Sequence, residues 1–174
     1  MKNKWIVIIL VGLFVAGCNS RENNQARGPV DPALAKQAAA KLMQQGVAFL
    51  NQKEVTKAVV SFQGAIQVDP SDPQPYMILA EIFMRLKNFP EAINVLNRAA
   101  SMFPENGYVF YMLSLANEAN GTSLPAVLAA RRSVELFKAQ NNQEGLQQSA
   151  GLMQALIKTE QDKQNQPAKT KKGA

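Results

Sequence analysis

The 174-residue sequence contains no histidine and only one cysteine, Cys18. Without histidine, the commonest general base and the commonest metal ligand are both missing, which excludes a Ser-His-Asp triad and His-ligated iron or zinc sites. A single cysteine excludes an intramolecular disulfide and a CxxC metal or redox motif. The phosphate-binding pattern GxxxxGK[ST] is absent as well, and the acidic residues form no cluster. We therefore expect no catalytic activity, no metal and no cofactor.

The middle of the chain has no excess of basic residues, although the formal net charge of the whole chain is +6. Residues 31–157 contain ten basic and ten acidic residues, so the excess positive charge lies toward the two ends. Because nucleic-acid binding requires a basic face on the folded domain, we expect no nucleic-acid partner. With 47% apolar and 18% charged residues, the composition is typical of a globular chain with a core.

The first eighteen residues have the layout of an export signal. Lys2 and Lys4 precede an apolar run from Trp5 to Ala16, and small residues lead into Cys18. A basic start, a short apolar segment and a small-residue cleavage site define a secretory signal peptide. The run is shorter than the roughly 20 apolar residues that a membrane-spanning helix needs.

The sequence Val15-Ala16-Gly17-Cys18 resembles the bacterial lipobox. The resemblance implies that residues 1–17 are removed and that Cys18 carries a thioether-linked diacylglycerol and an acylated amine, followed by a flexible tether over residues 18–30. Several acyl chains hold a protein durably on a bilayer. Because Asn19 is not an aspartate, the resemblance implies the outer membrane, facing the periplasm, in a bacterium with two membranes. In a cell with a single membrane, it implies the outer surface. The alternative is a plain signal peptide with an incidental cysteine.

Residues of the same type recur at intervals of 34 positions in the middle of the chain. Ala58, Ala92 and Ala126 are spaced in this way, and so are Pro70 and Pro104. A fixed period of this length is typical of repeat proteins in which each unit is one supersecondary element. The interval also relates Gly46, Ala80 and Ser114, Phe49 and Phe83, and Ala65, Ala99 and Ser133.

The pattern resembles the tetratricopeptide repeat, with a small and an aromatic residue on the first helix, alanines on the second and a closing proline. The resemblance implies repeats at about residues 39–72, 73–106 and 107–140. The third is degraded, since Asn117 replaces the aromatic residue and Lys138 replaces the proline. The alternative is an unrelated helical bundle.

We therefore predict an all-α fold, a right-handed α-solenoid of about three helix pairs with a capping helix at about residues 141–158. Asp31-Pro32 is a favourable helix start, and Asn88 with Glu91 matches a capping box. Residues 159–174 lack apolar periodicity and are predicted to be a disordered basic tail. The apolar face of the capping helix is predicted to consist of Leu146, Ala150, Met153 and Ile157.

The resemblance implies a concave groove lined by the first helix of each pair. The Lys and Asn residues that hold a peptide carboxylate in chaperone-binding members are replaced here by Met43 and Val47. A methionine-rich groove favours an amphipathic helix or an extended apolar peptide, although the same side chains could pack against one another or against the first helix. The predicted groove residues are Met43, Val47, Leu50, Asn51, Met77, Ile78, Glu81, Met84, Arg85, Tyr108, Tyr111, Met112, Leu115 and Glu118.

Together these features predict a lipid-anchored, non-catalytic adaptor of the cell envelope whose partners are other envelope proteins or peptides. The combination of lipobox and repeats resembles the pilotin lipoproteins of type IV pili, which carry more repeats, and this implies a role in assembling pilus or secretion machinery. An adaptor that regulates cell-wall enzymes is a second interpretation. An enzyme or a small-ligand carrier is the alternative of a different class.

Overall fold

The computed structural model describes residues 31–165, and this part of the chain folds into seven α-helices without strands. The predicted signal peptide, Cys18, the tether and residues 166–174 lie outside the described residues. Consecutive helices pack against each other along the chain. The helices are α1 (Pro32–Asn51), α2 (Val55–Val68), α3 (Gln74–Arg85), α4 (Phe89–Met102), α5 (Gly107–Ala119), α6 (Ser123–Ala139) and α7 (Gln143–Asn165).

Each 34-residue unit contains one helix hairpin, and its turn is repeated at the same position. Lys53, Lys87 and Gly121 lie 34 residues apart and adopt positive φ angles of 63°, 58° and 76°. This left-handed conformation ends the first helix and reverses the chain into the second. Only the third hairpin has glycine there, the residue that adopts such angles without steric cost.

Small residues mark the places where the helices approach most closely. Ala58, Ala92 and Ala126 on the second helices are fully buried. In the first hairpin a Cβ atom added to Gly46 would lie 2.7 Å from the ring of Phe62, so the aromatic side chain fills the space that the glycine leaves. This complementarity of small and large residues gives the dense packing of a protein interior.

Hydrogen bonds replace the missing aromatic contact in the degraded third hairpin. Ser114 Oγ donates to Ala126 O over 2.8 Å. Asn117 Nδ2 donates to Leu113 O over 2.8 Å, and its Oδ1 accepts from Thr122 Oγ1 over 2.8 Å. Because a buried amide needs partners for both of its ends, these bonds allow Asn117 to occupy the aromatic position.

Two predictions about helix starts have different outcomes. Asp31 caps α1 as predicted: its carboxylate accepts a 2.9 Å hydrogen bond from Ala33 N, with Pro32 in the first turn. Asn88 is the residue before α4, but its side chain makes no capping hydrogen bond. Glu91 instead accepts from Asn94 Nδ2 at 3.5 Å. The predicted capping box is therefore wrong.

The buried face of α7 differs from the predicted one. The residues of α7 that are buried are Gly145, Ser149 and Leu156. Of the predicted face, Leu146, Ala150 and Met153 are half-buried, and Ile157 is 40% exposed. Each buried residue precedes a predicted one by one position, so the buried face is rotated by about 100° around the axis of α7 from the predicted face. Small residues 145 and 149 allow α7 to approach Phe137 and Ser133 of α6.

α7 also extends further than predicted, to Asn165. Residues 159–165 therefore are helical and do not belong to a disordered tail. Lys163 Nζ lies 2.7 Å from Glu160 Oε1 and 3.3 Å from Ser123 Oγ, which connects the last turn of α7 to the start of α6. The contacts of Lys163 are polar, and one of them is with a residue 40 positions away. A search for apolar periodicity therefore could not predict this end of the helix.

Candidate interaction surface

The first helices of the three hairpins place equivalent side chains in rows. Because α1, α3 and α5 follow the same 34-residue interval, residues at one repeat position occupy corresponding places on successive helices. We use the term concave face for the fourteen predicted groove residues on these helices. Its rows include Met43, Met77 and Tyr111; Val47, Glu81 and Leu115; and Leu50, Met84 and Glu118.

Many apolar side chains of this face are shared between the core and the surface. They are only partly buried and pack against the buried cluster formed by residues of α2 to α6. The alternative of self-packing therefore describes part of their contacts, and the exposed part remains open to solvent. These residues are Met43, Leu50, Met77, Ile78, Met84 and Met112.

Five of the predicted groove residues border one depression between α3 and α5. The depression has a volume of about 540 Å³ and opens to solvent. Phe89 and Ala119 complete its lining and are not among the predicted groove residues. Phe89 begins α4, whereas the predicted groove consists of residues from the first helix of each pair. The predicted residues in the lining are Glu81, Met84, Arg85, Leu115 and Glu118.

Of the charged residues around this depression, two form an ion pair and the third has no ion partner among the described residues. Arg85 Nη2 and Nε donate to Glu81 Oε1 over 2.7 and 3.0 Å, one turn away on α3. Glu118 forms no ion pair within residues 31–165. Since Arg85 and Glu81 neutralise each other, the lining has one uncompensated negative charge, at Glu118.

Tyr108 and Tyr111, two of the predicted groove residues, have different surroundings. The Tyr108 ring packs edge-on against Phe137, with ring centroids 4.7 Å apart, and 43% of the residue is exposed. Tyr111 is half-buried. Tyr108 therefore also contributes to packing between α5 and α6. Three other predicted groove residues are exposed: Asn51, Glu81 and Arg85.

The described residues contain neither a metal-binding cluster nor a membrane-spanning helix. Between residues 31 and 165, no three His, Cys, Asp or Glu side chains are grouped closely enough to hold an ion. No helix in this range combines the length and apolar character needed to cross a bilayer.

Comparison with known proteins relates this architecture to one repeat family. A sequence profile described as tetratricopeptide repeat matches residues 49–115. The TPR2B domain of yeast Sti1, solved in a pHsp70 complex, superposes with a TM-score of 0.64 and 20% identity over 71% of this chain and 98% of that domain. The described part of this chain has the tetratricopeptide repeat fold. The profile ends at Leu115, just before the third repeat departs from the pattern at Asn117.

Two further similar proteins come from a bacterium and a fungus. PcrH of Pseudomonas aeruginosa, in complex with the chaperone binding region of PopD, superposes with a TM-score of 0.64 and 16% identity over 77% of this chain and 98% of PcrH. Superkiller protein 3 of Schizosaccharomyces pombe is 32% identical over 92 residues, 49% of this chain and 7% of that protein. The chain thus spans a small fraction of its curated relative, and the structural likenesses establish the fold alone.

Proposed function

We propose that this protein is a non-catalytic adaptor that binds a polypeptide segment of another protein on its concave face. The observation that carries the proposal is the open depression between α3 and α5, bordered by partly exposed apolar side chains. Contiguous apolar patches on the surface of a folded domain often mark interaction sites. Methionine side chains adapt to partners of irregular shape.

The solved tetratricopeptide structures support this proposal by analogy. PcrH was solved with a region of PopD, and the Sti1 domain was solved in a pHsp70 complex. Both partners are proteins. The missing histidine and the lack of a metal-binding group within residues 31–165 give no support to the enzyme interpretation.

We further propose that the adaptor is anchored in the cell envelope through lipid on Cys18, with its repeats facing the periplasm. The support is the sequence of residues 1–18, in which a basic start and an apolar run lead into the only cysteine. An anchor of this type concentrates the concave face at a membrane surface. Two roles agree with this position: assembly of pilus or secretion machinery, and regulation of cell-wall enzymes.

A pair of exposed valines tests the binding surface. Val47 on α1 lies on the concave face and is 45% exposed, and Val60 on α2 lies outside it and is 63% exposed. A photo-crosslinking amino acid at position 47 should capture a distinct protein in intact cells, and the same group at position 60 should not. Mass spectrometry of the adduct identifies the partner and separates the two roles. Equal capture at both positions, or none at 47, contradicts the proposal.

Membrane fractionation tests the anchor independently. The Cys18→Ser variant should lose incorporation of an alkyne-labelled fatty acid and should leave the membrane pellet after a high-salt wash. Ser20→Ala, two residues further on, should behave like the original protein. Persistent pelleting of Cys18→Ser would refute lipid anchoring without affecting the proposal for the concave face.

A further inference from the structure

The depression between α3 and α5 combines an apolar floor with a charged edge, and this combination restricts what can bind there. Met84 and Phe89 lie on one side of it, and Leu115 and Ala119 lie on the other. Removing the apolar surface of an inserted side chain from water favours binding in proportion to its area. A large apolar residue therefore suits the floor.

The edge of the depression favours a cation over an anion. Glu81 already accepts two hydrogen bonds from Arg85, so another cation would have to displace them. Glu118 has no ion partner in the described part of the chain. An incoming acidic residue would be repelled there, and a neutral segment would desolvate the carboxylate without compensation.

The acid at position 118 is not required by the repeat. The equivalent residues of the first and second repeats are Leu50 and Met84, both apolar, and Glu118 is exposed. A folding role therefore does not account for its charge. Its position beside the apolar floor does offer a role in recognition.

We infer that the segment bound on the concave face carries a large apolar residue, which enters this depression, next to a lysine or arginine, which pairs with Glu118. The inference rests on the proposed function and names the chemistry of the partner. The partner is thus a basic amphipathic segment, and acidic segments are disfavoured. Selectivity of this kind arises from charge placed beside an apolar anchor.

Two labelled peptides test the inference directly. Both are amphipathic helix formers of about 15 residues with Leu and Phe on one face, and they differ only in having Lys or Glu on the other. In fluorescence anisotropy with the full chain at about 0.15 M salt, which largely screens the distant positive charges of the chain ends, the Lys peptide should bind up to about fivefold more tightly than the Glu peptide, the upper end of the range expected for one exposed ion pair. Added salt should reduce this preference.

Variants at one position assign the preference to Glu118. Glu118→Gln should abolish it, and Glu118→Lys should reverse it. The matched control is Glu135→Lys, which makes the same charge change on α6, outside the concave face, and should leave the preference intact. Leu115→Ala should weaken both peptides alike, because it removes apolar floor and leaves the charge.

The outcomes separate this inference from the proposed function. Equal affinity for the two peptides, tighter binding of the Glu peptide, binding of neither, or an unchanged preference in Glu118→Gln overturns the inference. If capture at position 47 still yields a partner whose crosslinked segment is acidic, the concave face remains the binding surface and only its chemistry was misassigned. Capture at position 60 instead would show that the proposed function itself is wrong.

Discussion

The ring of Phe137 lies directly against the backbone of Gly145: a Cβ atom at residue 145 would be 2.6 Å from two of its carbons. Gly107 approaches the same ring from α5, where an added Cβ would lie 2.8 Å away. Phe137 is thus enclosed between two glycines and is almost completely buried. This contact joins α5, α6 and α7.

Gly145→Ala should therefore destabilise the protein although alanine is the better helix former. Overpacking costs about 1–3 kcal/mol, and the gain in helix propensity is at most about 1 kcal/mol. We expect a net loss of about 1–2 kcal/mol in the free energy of unfolding, measured by urea denaturation. Gly151→Ala is the matched control on the same helix, since an added Cβ meets nothing within 4 Å; it should be neutral or stabilising. Equal effects of the two variants would contradict the packing argument.

The buried serines of α6 and α7 should contribute unequally to stability. Ser133 Oγ donates to Gly107 O over 2.8 Å and lies 2.7 Å from Ser149 Oγ. Because a hydroxyl has one proton, Ser149 is then the donor between the two serines. Ser133→Ala removes both bonds and should cost about 2 kcal/mol, whereas Ser149→Ala removes one and should cost about 1 kcal/mol. Thermal unfolding that shows the reverse order would refute this assignment.

The repeated left-handed turns predict that glycine stabilises the protein at both of two equivalent positions. Lys87 adopts φ 58° and Gly121 adopts φ 76°. Lys87→Gly should raise the free energy of unfolding by up to about 1 kcal/mol, and Gly121→Ala should lower it by about the same amount. Lys87→Ala is the control that removes the charge and keeps a Cβ atom, so it should bring no gain. If Lys87→Ala stabilised the protein as much as Lys87→Gly does, the effect would come from loss of the charge and not from the backbone conformation.

The turn between α2 and α3 contains a carboxylate with a perturbed titration. The hydroxyl and the backbone N–H of Ser71 donate to Asp69 Oδ1 over 2.6 and 3.0 Å, and these bonds lower the pKa of Asp69 below its ordinary value. Because the lowered pKa belongs to the folded state, the stabilisation is complete above the unfolded pKa. It is lost as the pH falls through the folded value.

Ser71→Ala should therefore raise the pKa of Asp69 toward its ordinary value, because the stronger of the two contributions disappears. An NMR titration that follows the Asp69 carboxyl carbon measures this change. Ser101→Ala provides the control, since its hydroxyl bonds to Asn97 O on α4 and not to a carboxylate. An unchanged Asp69 titration in Ser71→Ala would show that the hydroxyl bond is absent in solution.

The periodicity of the sequence predicted the hairpins well because alanines at helix crossings cannot vary much in size. Ala58, Ala92 and Ala126 are all fully buried. Periodicity failed for α7, where Gly145 and Ser149 carry no hydropathic signal and are buried only because α6 presents Phe137 and Ser133. Contacts between distant residues decide such a face, and a local pattern does not contain them.

The sequence suggested positions for a candidate surface, but it could not show how the charges there pair. The groove positions implied by the tetratricopeptide resemblance include Glu81 and Glu118, and both residues line the same depression. Arg85 bonds Glu81 and leaves Glu118 without an ion partner among the described residues. This choice depends on side-chain rotamers, which the sequence does not specify. The contribution of Phe89 depends on how the turn after α3 directs the start of α4.

The missing proline at position 138 limits how the array can grow. The helices α2 and α4 end two residues before Pro70 and Pro104, whereas α6 continues through Lys138 to Ala139 and α7 follows out of phase with the 34-residue period. Tandem duplication during evolution, or deliberate insertion of a consensus unit, can therefore lengthen the stack at the junctions that contain Pro70 or Pro104. A unit added after α6 would meet a different junction geometry, so new modules are expected to enter upstream of the third hairpin.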